Sequence, residues 1–410
     1  MTKLIAVPLL VLFVGAYGDD ALPLVGTEAG NDIITVSDSA IVNDSANILG
    51  VIPVTSAFTV PVSPVAVSGG FSFGSITAGA HHSCGITTSG ETRCWGADPN
   101  GELGVGYLTW FIAHPALVAG SPSFVAVNAG GSHTCALTAA GVAYCWGHNL
   151  RGELGTGSTG GVSAVPVAVA TALTFSAIAA GGHHTCALTA AGAVYCWGDR
   201  VPLPMPVPGG LSFTKIMLGE IHTCGIASDG LAYCWGSNGY GQGGLGGLNG
   251  GINYADPTHT AIPLPVVGNY PFTALSGGEI HTCGITTDGA AYCWGDNTYG
   301  QVGKGTLGYA ILTPAAVVGG LTLSAMEVGG HHSCAIATTG DTYCWGNNDA
   351  EQLGDSIAGG RSPMPLKVAG GVQFVTLAGG GDHTCGLTAS GAAYCWGSPA
   401  LGALGNGTVP

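Results

Sequence analysis

The clearest of seven similar stretches in this chain reads Gly130-Gly131-Ser132-His133-Thr134-Cys135-Ala136-Leu137-Thr138-Ala139-Ala140-Gly141-Val142-Ala143-Tyr144-Cys145-Trp146-Gly147. It predicts a β-hairpin, because residues 133–138 alternate in polarity and residues 142–146 are β-branched and aromatic. Gly141 supplies the positive φ of a short turn with a glycine bulge. Pairing about this turn puts Cys135 opposite Cys145. Opposed Cβ atoms lie roughly 4.5–5.5 Å apart, so a modest local twist would allow a disulfide.

All 14 cysteines of the 410-residue chain lie in the seven hairpins. Nine residues separate the members of each pair, unlike the short Cys-x-x-Cys spacing of zinc sites. We therefore expect seven disulfides, each closing a loop of about 11 residues and contributing roughly 2–3 kcal/mol, and an oxidising compartment. The expected pairs are Cys84 with Cys94, Cys135 with Cys145, Cys186 with Cys196, Cys224 with Cys234, Cys283 with Cys293, Cys334 with Cys344, and Cys385 with Cys395.

The composition favours a turn-rich all-β protein. The chain has 73 glycines and is 46% hydrophobic, whereas charged residues make up 8% of it. Such a composition disfavours disorder and provides ample material for a core. The formal net charge is −15. Because few Lys and Arg are present to neutralise phosphates, we expect no nucleic-acid partner.

The N-terminus reads as a secretory signal peptide, residues 1–18. It has a short basic start at Lys3, an apolar run over residues 4–16 that is too short to span a bilayer comfortably, and small residues before a cleavage point near Gly18. We therefore expect a secreted or cell-surface protein with no membrane span after cleavage. A retained membrane anchor is the alternative.

Residues 19–60 lie outside the repeat and form a β-prone, apolar N-terminal arm. The arm is expected to pack on its own domain or to be mobile. Alternatively, it adds a strand to a neighbouring molecule and makes the protein a self-assembling filament subunit.

Residues 61–410 predict a seven-bladed β-propeller with one disulfide inside each blade. Successive first cysteines lie 51, 51, 38, 59, 51 and 51 residues apart, a period that suits four strands per unit. A Pro-Val strand should be outermost in each blade, because proline is tolerated at a sheet edge. It is absent after the last unit and present at Pro64, so an N-terminal strand that completes the last blade would close the ring. The strand prolines are Pro64, Pro115, Pro166, Pro206, Pro265, Pro314 and Pro365.

A loop signature follows the Cys-Trp-Gly of most units. Its full form is Asn149-Leu150-Arg151-Gly152-Glu153-Leu154-Gly155-Thr156-Gly157. The third unit drops the signature between Gly198 and Pro208, which explains the 38-residue step. The fourth unit expands it to residues 237–269, a glycine-rich and nearly uncharged loop.

From Pro64 onward the chain resembles the repeat family of the regulator of chromosome condensation. The matching elements are Gly-x-His-[Ser/Thr]-x-[Ala/Gly]-[Leu/Ile], [Tyr/Arg]-x-Trp-Gly with Cys as x, and Asn-x-x-Gly-Glu-Leu-Gly. It closely resembles the secreted bacterial branch, whose members carry a cysteine pair in each unit. The resemblance implies a seven-bladed β-propeller. The eukaryotic prototype is a nuclear guanine-nucleotide exchange factor, and other bacterial propellers of this shape inhibit β-lactamases through one face, so a regulator of a protein partner is one candidate function.

One histidine recurs two residues before the first cysteine of every unit. Seven copies could form a ring at the channel mouth that binds a transition metal or responds to pH. The alternative is structural, with each imidazole bonded to a backbone carbonyl between blades. It is favoured because a seven-fold ring is too wide for three or four metal bonds of about 2 Å. The histidines are His82, His133, His184, His222, His281, His332 and His383.

Two further sets of residues suggest sites. Asp382 with His383, Glu220 with His222 and Glu279 with His281 are either acid/base pairs or hydrogen-bonding partners at the blade tops. A possible binding surface, or simply cover for the first blade in the case of its first two members, comprises Trp110, Phe111, Tyr240, Asn253 and Tyr254.

No nucleophile elbow, phosphate loop or metalloprotease helix occurs in the sequence. We therefore predict a secreted binding or structural module that is not an enzyme and needs no cofactor. Its partner is an unidentified protein or glycan, or a second copy bound through residues 19–60. The competing function is regulation of a protein partner by nucleotide exchange or by inhibition.

Overall fold

The structure is all-β and confirms the seven-bladed propeller. The computed structural model describes residues 39–43, 49–53, 63–120, 122–248, 262–357 and 359–408. The chain divides into two compact units, Met1–Ala57 and Phe58–Pro410. In the first unit, β1 (Ser39–Asn43) and β2 (Leu49–Pro53) form an antiparallel hairpin. The predicted signal peptide lies outside the described residues.

The second unit contains seven four-stranded antiparallel sheets, the blades. Its first strand, β3 (Val65–Ala66), belongs to the last blade. Blade 1 contains β4 (Phe73–Ala78), β5 (His82–Thr87), β6 (Thr92–Ala97) and β7 (Phe111–Leu117). Blade 2 contains β8 (Phe124–Ala129), β9 (His133–Thr138), β10 (Ala143–His148) and β11 (Val162–Ala168). Blade 3 contains β12 (Ala177–Ala180), β13 (His184–Leu188), β14 (Val194–Gly198) and β15 (Val201–Pro206).

The remaining blades repeat this order. Blade 4 contains β16 (Phe213–Leu218), β17 (His222–Ala227), β18 (Ala232–Gly236) and β19 (Leu264–Pro265). Blade 5 contains β20 (Phe272–Gly277), β21 (His281–Thr286), β22 (Ala291–Gly295) and β23 (Ile311–Ala316). Blade 6 contains β24 (Leu323–Val328), β25 (His332–Ala337), β26 (Thr342–Asn347) and β27 (Arg361–Lys367). Blade 7 contains β28 (Thr376–Gly379), β29 (His383–Leu387), β30 (Ala393–Gly397) and β3, and two short 3₁₀ turns span Ala369–Gly371 and Ala400–Gly402.

Each blade is centred on the predicted hairpin. Its second and third strands pair with the two cysteines directly opposed, as Cys135 is to Cys145. A bulge follows the second cysteine in blade 2, where pairing with the outer strand shifts between Cys145 and Gly147. This bulge carries the tryptophan that packs against the neighbouring blade.

All seven predicted disulfides are present, one in each blade. The Cα atoms of each pair lie 4.0–4.1 Å apart. No cysteine is left unpaired, and every one of these residues lies in the described part of the chain. The bonds join Cys84 to Cys94, Cys135 to Cys145, Cys186 to Cys196, Cys224 to Cys234, Cys283 to Cys293, Cys334 to Cys344, and Cys385 to Cys395.

The outer strands and the ring closure agree with the sequence. The strands that carry the predicted prolines, from Pro115 in β7 to Pro365 in β27, are outermost in their sheets. In blade 7 the outer position is taken by β3, where Val65 pairs with Cys395. Val67 N–H then donates to the carbonyl of Ala393 (2.9 Å). The N-terminal strand therefore completes the last blade, as predicted.

The hydrophobic core lies between blades rather than within them. The described residues form seven apolar clusters, and each spans one contact between neighbouring blades, which we call a seam. At seam 1/2, Ile86 of blade 1 packs with Phe124 and Trp146 of blade 2. The rings of Phe124 and Trp146 are stacked, with centroids 5.8 Å apart. Ring closure therefore buries an aromatic pair that an isolated blade would expose.

The first strands of all seven blades line an axial channel with a cavity of about 300 Å³. Around it the ring is irregular at blade 3, where β14 turns into β15 through two residues. Asp199 (φ 46°) and Arg200 (φ 77°) both adopt the left-handed conformation in this turn, which is uncommon for residues other than glycine. The short turn confirms that the loop signature is absent from blade 3. Among the described residues, no helix has the length and apolarity needed to cross a membrane.

Candidate binding face

One end of the propeller, which we call the loop face, carries two sets of connections. His82 at the start of β5 lies opposite Gly96 near the end of β6, and Gly96 lies opposite Ile112 near the start of β7. The turns that precede the motif histidines and the loops that follow each Trp-Gly therefore share this face. The opposite face holds the hairpin turns and the links from one blade to the next.

A closed ring of backbone hydrogen bonds surrounds the channel mouth on the loop face. At every seam, a turn before a motif histidine donates an amide N–H to a carbonyl of the next blade. Gly131 donates to Gly181 (2.9 Å), and Gly381 closes the ring by donating to Gly79 (3.2 Å). Close approach requires glycine here, because a Cβ on Gly130 would lie 2.5 Å from the carbonyl oxygen of Gly181. The ring therefore joins the blades without using side chains.

The seven motif histidines are buried in the seams. Each Nε2 lies 2.7–3.0 Å from a Thr or Ser hydroxyl of the next blade. At seam 2/3, His133 Nε2 is 2.8 Å from Thr185 Oγ1, and this hydroxyl donates to the carbonyl of Glu153 (3.1 Å). His133 must therefore donate from Nε2. The seven pairs are His82–Thr134, His133–Thr185, His184–Thr223, His222–Thr282, His281–Ser333, His332–Thr384 and His383–Ser83.

This arrangement corrects two sequence expectations. The imidazoles lie in the seams and not around the channel mouth, and their partner is a hydroxyl instead of a backbone carbonyl. Burial lowers the pKa of His82, His332 and His383 to about 3, and that of His133 and His222 to about 4. These rings are therefore neutral near pH 7. Within the described residues, no three His, Cys, Asp or Glu side chains are grouped to hold a metal.

In the described part of the chain, six loops on this face cross a seam and hold the next blade, and we call them straps 1, 2, 4, 5, 6 and 7 after the blade that each leaves. In strap 2, residues 149–155, the carbonyl of Glu153 accepts hydrogen bonds from Trp197 Nε1 (2.8 Å) and from the hydroxyl of Thr185. Leu154 is buried in the same cluster as Trp197. The other strap bonds join Trp95 to Ala403, Trp146 to Glu102, Trp294 to Gln242, Trp345 to Gln301 and Trp396 to Gln352, at 2.8–3.1 Å.

Seam 3/4 has no strap among the described residues, because blade 3 lacks the loop signature. Its tryptophan, Trp235, is 5% exposed, whereas the other six motif tryptophans are 0% exposed. Trp235 Nε1 has no acceptor within the described part of the chain. The hydroxyl of Thr223 contacts His184 Nε2 (2.9 Å) and meets no strap carbonyl there. Among the described residues, the indole N–H of Trp235 is therefore left without an acceptor beside this seam, and the Thr223 hydroxyl bonds to His184 without meeting a strap carbonyl.

Strap 1 differs from the other straps in one buried position. In strap 2, the side-chain amide of Asn149 donates to the carbonyls of Ser158 (3.2 Å) and Gly160 (3.3 Å). Asp98 occupies this position in strap 1 and is fully buried, and its Oδ2 has no hydrogen-bond partner among the described residues. Burial raises the pKa of Asp98 to about 7. Strap 1 therefore has a buried carboxyl group at the position where strap 2 has a side-chain amide that donates to backbone carbonyls.

Among the described residues, three His–Glu contacts cross seams near the mouth. One joins His183 to Glu153 of strap 2 (4.0 Å), and the other two form pairs that differ in their charges. His331 Nε2 lies 3.0 Å from Glu279 Oε2. Although burial opposes it, the hydrogen bond with Glu279 raises the pKa of His331, and the same bond lowers the pKa of Glu279. In the second pair, His183 Nε2 lies 4.0 Å from Glu220 Oε1. Burial and Arg151 lower the pKa of His183, and burial and Glu279 raise that of Glu220 to about 7. The pKa shifts of His331 and Glu279 both favour the charged forms, whereas those of His183 and Glu220 both favour the neutral forms.

These contacts differ from the pairs read from the sequence. Glu279 is bonded to His331 of the next blade and not to His281, whose Nε2 is bonded to Ser333. Asp382 accepts a hydrogen bond from Gln352 Nε2 (3.3 Å). The carboxylates of the blade tops therefore act across seams.

Three of the five proposed surface residues lie in the described structure. Trp110 is 68% exposed and does not serve as cover for the first blade. Phe111 is half-buried at the start of β7, and Tyr240 is exposed. The other two, Asn253 and Tyr254, lie outside the described residues.

Sequence reasoning missed two exposed aromatic side chains on the same face. Tyr107 is 59% exposed and Tyr309 is 92% exposed. Both lie in the loops that follow Trp-Gly, beyond the part that matches the signature. Aromatic residues outside a repeated pattern are the signal that could have identified them.

The repeats match known families along most of the propeller. One model of the regulator of chromosome condensation (RCC1) repeat matches residues 75–102, 124–153, 214–242, 272–301, 324–352 and 374–402. A second model of this repeat matches residues 89–137, 140–188, 288–336 and 339–387. Together the matches cover more than half of the chain.

Similar proteins differ widely in length and setting. The human E3 ubiquitin-protein ligase HERC2 is 27% identical over 79% of this chain, which spans 6% of HERC2. The ultraviolet-B receptor UVR8 of Arabidopsis thaliana is 28% identical over 81% of this chain and 67% of UVR8. Prp20p of Saccharomyces cerevisiae has a similar structure, with a TM-score of 0.69 and 22% identity over 84% of each chain. Human WBSCR16 also has a TM-score of 0.69, with 18% identity over 87% of this chain and 94% of its own. By its repeats and its fold, this chain belongs to the regulator of chromosome condensation repeat family.

Proposed function

We propose that this protein is a secreted, disulfide-stabilised propeller that acts without catalysis, as a binding module whose protein partner docks on the loop face. One observation carries the proposal. Among the described residues, four Tyr and Trp side chains are exposed, and all four lie in loops of this face: Tyr107, Trp110, Tyr240 and Tyr309.

Exposed aromatic side chains favour a protein partner. Tyr and Trp are enriched at the centres of protein interfaces, where they bury large areas at little entropic cost. Exposed aliphatic side chains occur on both faces, and those of the opposite face include Val125, Val142, Val318 and Val375, without an exposed Tyr or Trp among the described residues there. The two faces therefore differ in the residues best suited to anchor a partner.

A setting outside the reducing cytosol is supported by the cysteines and by residues 1–18. All 14 cysteines are paired in disulfides, a pattern typical of oxidising compartments. A protein partner also agrees with the similarity to Prp20p, whose structure was reported with its binding to Gsp1p and histones.

The test compares two matched sets of surface substitutions. One variant carries Tyr107→Ser, Trp110→Ser, Tyr240→Ser and Tyr309→Ser, and the control carries Val125→Ser, Val142→Ser, Val318→Ser and Val375→Ser. Each protein is incubated with extracellular material, and bound proteins are captured by cross-linking. Wild type and control should capture the same extracellular protein. The loop-face variant should not capture that protein, although its thermal unfolding temperature should be unchanged. Loss in the control instead would place the partner on the opposite face, and capture by none of the three would refute the proposal.

Nucleotide exchange, the alternative drawn from the family, predicts faster release of a labelled guanine nucleotide from a small GTPase. A binding module of the kind proposed leaves the release rate unchanged.

Self-assembly is a second candidate, favoured by the hairpin of β1 and β2. A two-stranded hairpin is marginally stable alone, and within the described residues neither of its edges is paired. Light scattering after size-exclusion chromatography, with and without residues 19–60, tests the idea. Oligomers that disappear with the arm support assembly, and monomers in both cases refute it.

A further inference from the structure

Within the part of the chain that the structure describes, seam 3/4 lacks the strap that the other six seams contain, and those six straps show the chemistry of the missing part. In five strapped seams, one strap carbonyl accepts from both a tryptophan Nε1 and a Thr or Ser hydroxyl, as Glu153 does from Trp197 and Thr185. The next strap residue is an apolar side chain in most straps, such as Leu154 or Val302, and it is buried. The strap therefore supplies an acceptor and an apolar cover together. The carbonyls with both donors belong to Glu102, Glu153, Gln242, Gln301 and Gln352.

At seam 3/4 both donors are present, but within the described residues no strap carbonyl accepts from them, and Trp235 is covered less completely than the other motif tryptophans. Trp235 Nε1 and Thr223 Oγ1 occupy the positions of Trp197 Nε1 and Thr185 Oγ1. Trp235 is slightly exposed, and Gly236 is partly exposed, whereas the glycines after the other six motif tryptophans are buried. An indole N–H beside an apolar surface is a suitable anchor for a peptide carbonyl.

We propose that seam 3/4 is a docking slot for a partner segment with the chemistry of a strap: a tight turn of the form Gly-Gln-[Leu/Val]-Gly. The Gln carbonyl accepts from Trp235 and Thr223, and the apolar side chain covers Trp235. Because the straps lie on the loop face, the slot opens there. The inference rests on the proposed function, since it describes one part of the partner that the binding module recognises.

The preference for Gln over Glu follows from two straps of this chain. In blade 5, Asp296 precedes strap 5, and Gln301 Nε2 donates to it (2.7 Å). In blade 2, His148 precedes strap 2, and its Nδ1 lies 2.9 Å from Oε1 of Glu153, which accepts a hydrogen bond from the imidazole. Blade 3 has Asp199 at this position, and its Oδ1 is paired with Nη1 of Arg151 (3.6 Å) at the exposed rim of the slot. A Gln side chain would donate to the Asp199 carboxylate, whereas a Glu side chain would be repelled by it.

The chain's own straps are not available for the slot, because all six are bonded at their own seams. Residues 249–261 of this chain are the competing occupant, and the experiment distinguishes them from a partner.

The experiment follows the indole N–H signals of full-length protein by ¹⁵N NMR, with Trp235 assigned by Trp235→Phe. The probe is a peptide with the sequence of residues 297–305, Asn-Thr-Tyr-Gly-Gln-Val-Gly-Lys-Gly. It should shift the Trp235 signal, leave the six buried indoles unchanged and slow hydrogen exchange at Trp235 by about tenfold, the equivalent of one hydrogen bond. A Gln→Glu peptide should bind more weakly, and a scrambled peptide should not bind.

A second variant avoids dependence on a weakly binding peptide. Replacing Asp199 and Arg200 with residues 296–310 grafts strap 5 into blade 3, and it should raise the unfolding temperature and protect the Trp235 indole. The proposal is overturned if neither peptide nor graft protects Trp235. It is also overturned if Trp235 is already protected and becomes exposed when residues 249–261 are deleted. Loss of slot binding with an intact partner complex would refute only the slot, and loss of both would refute the proposed function as well.

Discussion

Seams 2/3 and 3/4 are built from the same hairpins, yet they are held together differently. Both contain the backbone bond at the channel mouth and the bond from a motif histidine to a hydroxyl of the next blade. Only seam 2/3 adds a strap, within the described residues, and this strap bonds Trp197 and buries Leu154. In the described structure, the hairpin contacts are therefore common to both seams, and the strap is an additional layer at seam 2/3.

Of the changes considered, removal of the buried apolar side chain of a strap should have the largest effect on the free energy of unfolding. Leu154 is 2% exposed in the cluster that contains Trp197. Leu154→Ala should lower the free energy of unfolding by about 2–5 kcal/mol, through lost burial and the cavity that remains. Denaturant unfolding under oxidising conditions measures the loss. Leu150→Ala, at an exposed position of the same strap, should change stability by less than about 0.5 kcal/mol. Equal effects of the two substitutions would show that straps do not support their seams.

Restoring the amide in strap 1 should increase stability. Asp98→Asn supplies the donor that Asn149 supplies in strap 2, and we expect a gain of about 1–3 kcal/mol at pH 8. The pKa of Asp98 is raised to about 7, so the folded state keeps a proton that the unfolded chain releases above about pH 4. Wild-type stability therefore falls from about pH 4 to about pH 7, and the gain from Asp98→Asn should grow over this range. Asn149→Asp is the reciprocal control and should destabilise. A gain that does not depend on pH would contradict this account.

The indole bonds provide a smaller and more direct comparison. Trp197→Phe removes a donor from the Glu153 carbonyl, whereas Trp235→Phe removes one that has no acceptor among the described residues. Both substitutions lose similar aromatic area, so Trp197→Phe should cost about 1 kcal/mol more in the free energy of unfolding. Equal losses in paired thermal and denaturant unfolding would mean that Trp235 is bonded in solution.

The smallest effects are expected at the two His–Glu pairs. Glu279→Gln should cost a few tenths of a kcal/mol near pH 6, because the pair is partly exposed, and salt should suppress the cost. The raised pKa of His331 means that its contribution is lost as pH rises through the folded value, and the lowered pKa of Glu279 means that its contribution is lost as pH falls. Glu220→Gln should instead give a small gain at pH 8, because the raised pKa of Glu220 makes its ionised form unfavourable. Denaturant unfolding at the two pH values measures both changes, and a change of the same sign in both variants would contradict the charge difference between the pairs.

Most of the fold could be predicted because its determinants are local and repeated seven times. The turn at Gly141 sets the register that opposes Cys135 and Cys145, and the prolines identify the outer strands. The Pro-Val strand at Pro64, without a counterpart after the last unit, indicates ring closure. Each of these features depends on residues close in sequence or on the number of repeat units and Pro-Val strands.

The contacts across seams could not be predicted in the same way. The partner of His133 is Thr185 of the next blade, and the partner of Glu279 is His331, because blade packing decides which side chains meet. The 38-residue step did indicate a missing loop in blade 3. Its consequence at Trp235 required the strap geometry of the other seams. Exposed aromatic side chains outside the motif, such as that of Tyr309, belong to no repeated pattern.

The pairing of Val65 with Cys395 also constrains the order in which the chain can fold during synthesis. The ribosome makes β3 before any complete blade, and β3 has no place to pair until β30 has been made. Such a long-range contact slows folding, because the whole intervening chain must be ordered first. A chain cut short before residue 393 leaves its last hairpin incomplete and its ring open. Such a chain exposes apolar seam surfaces and unpaired strand edges, the features that make incompletely folded chains prone to aggregate.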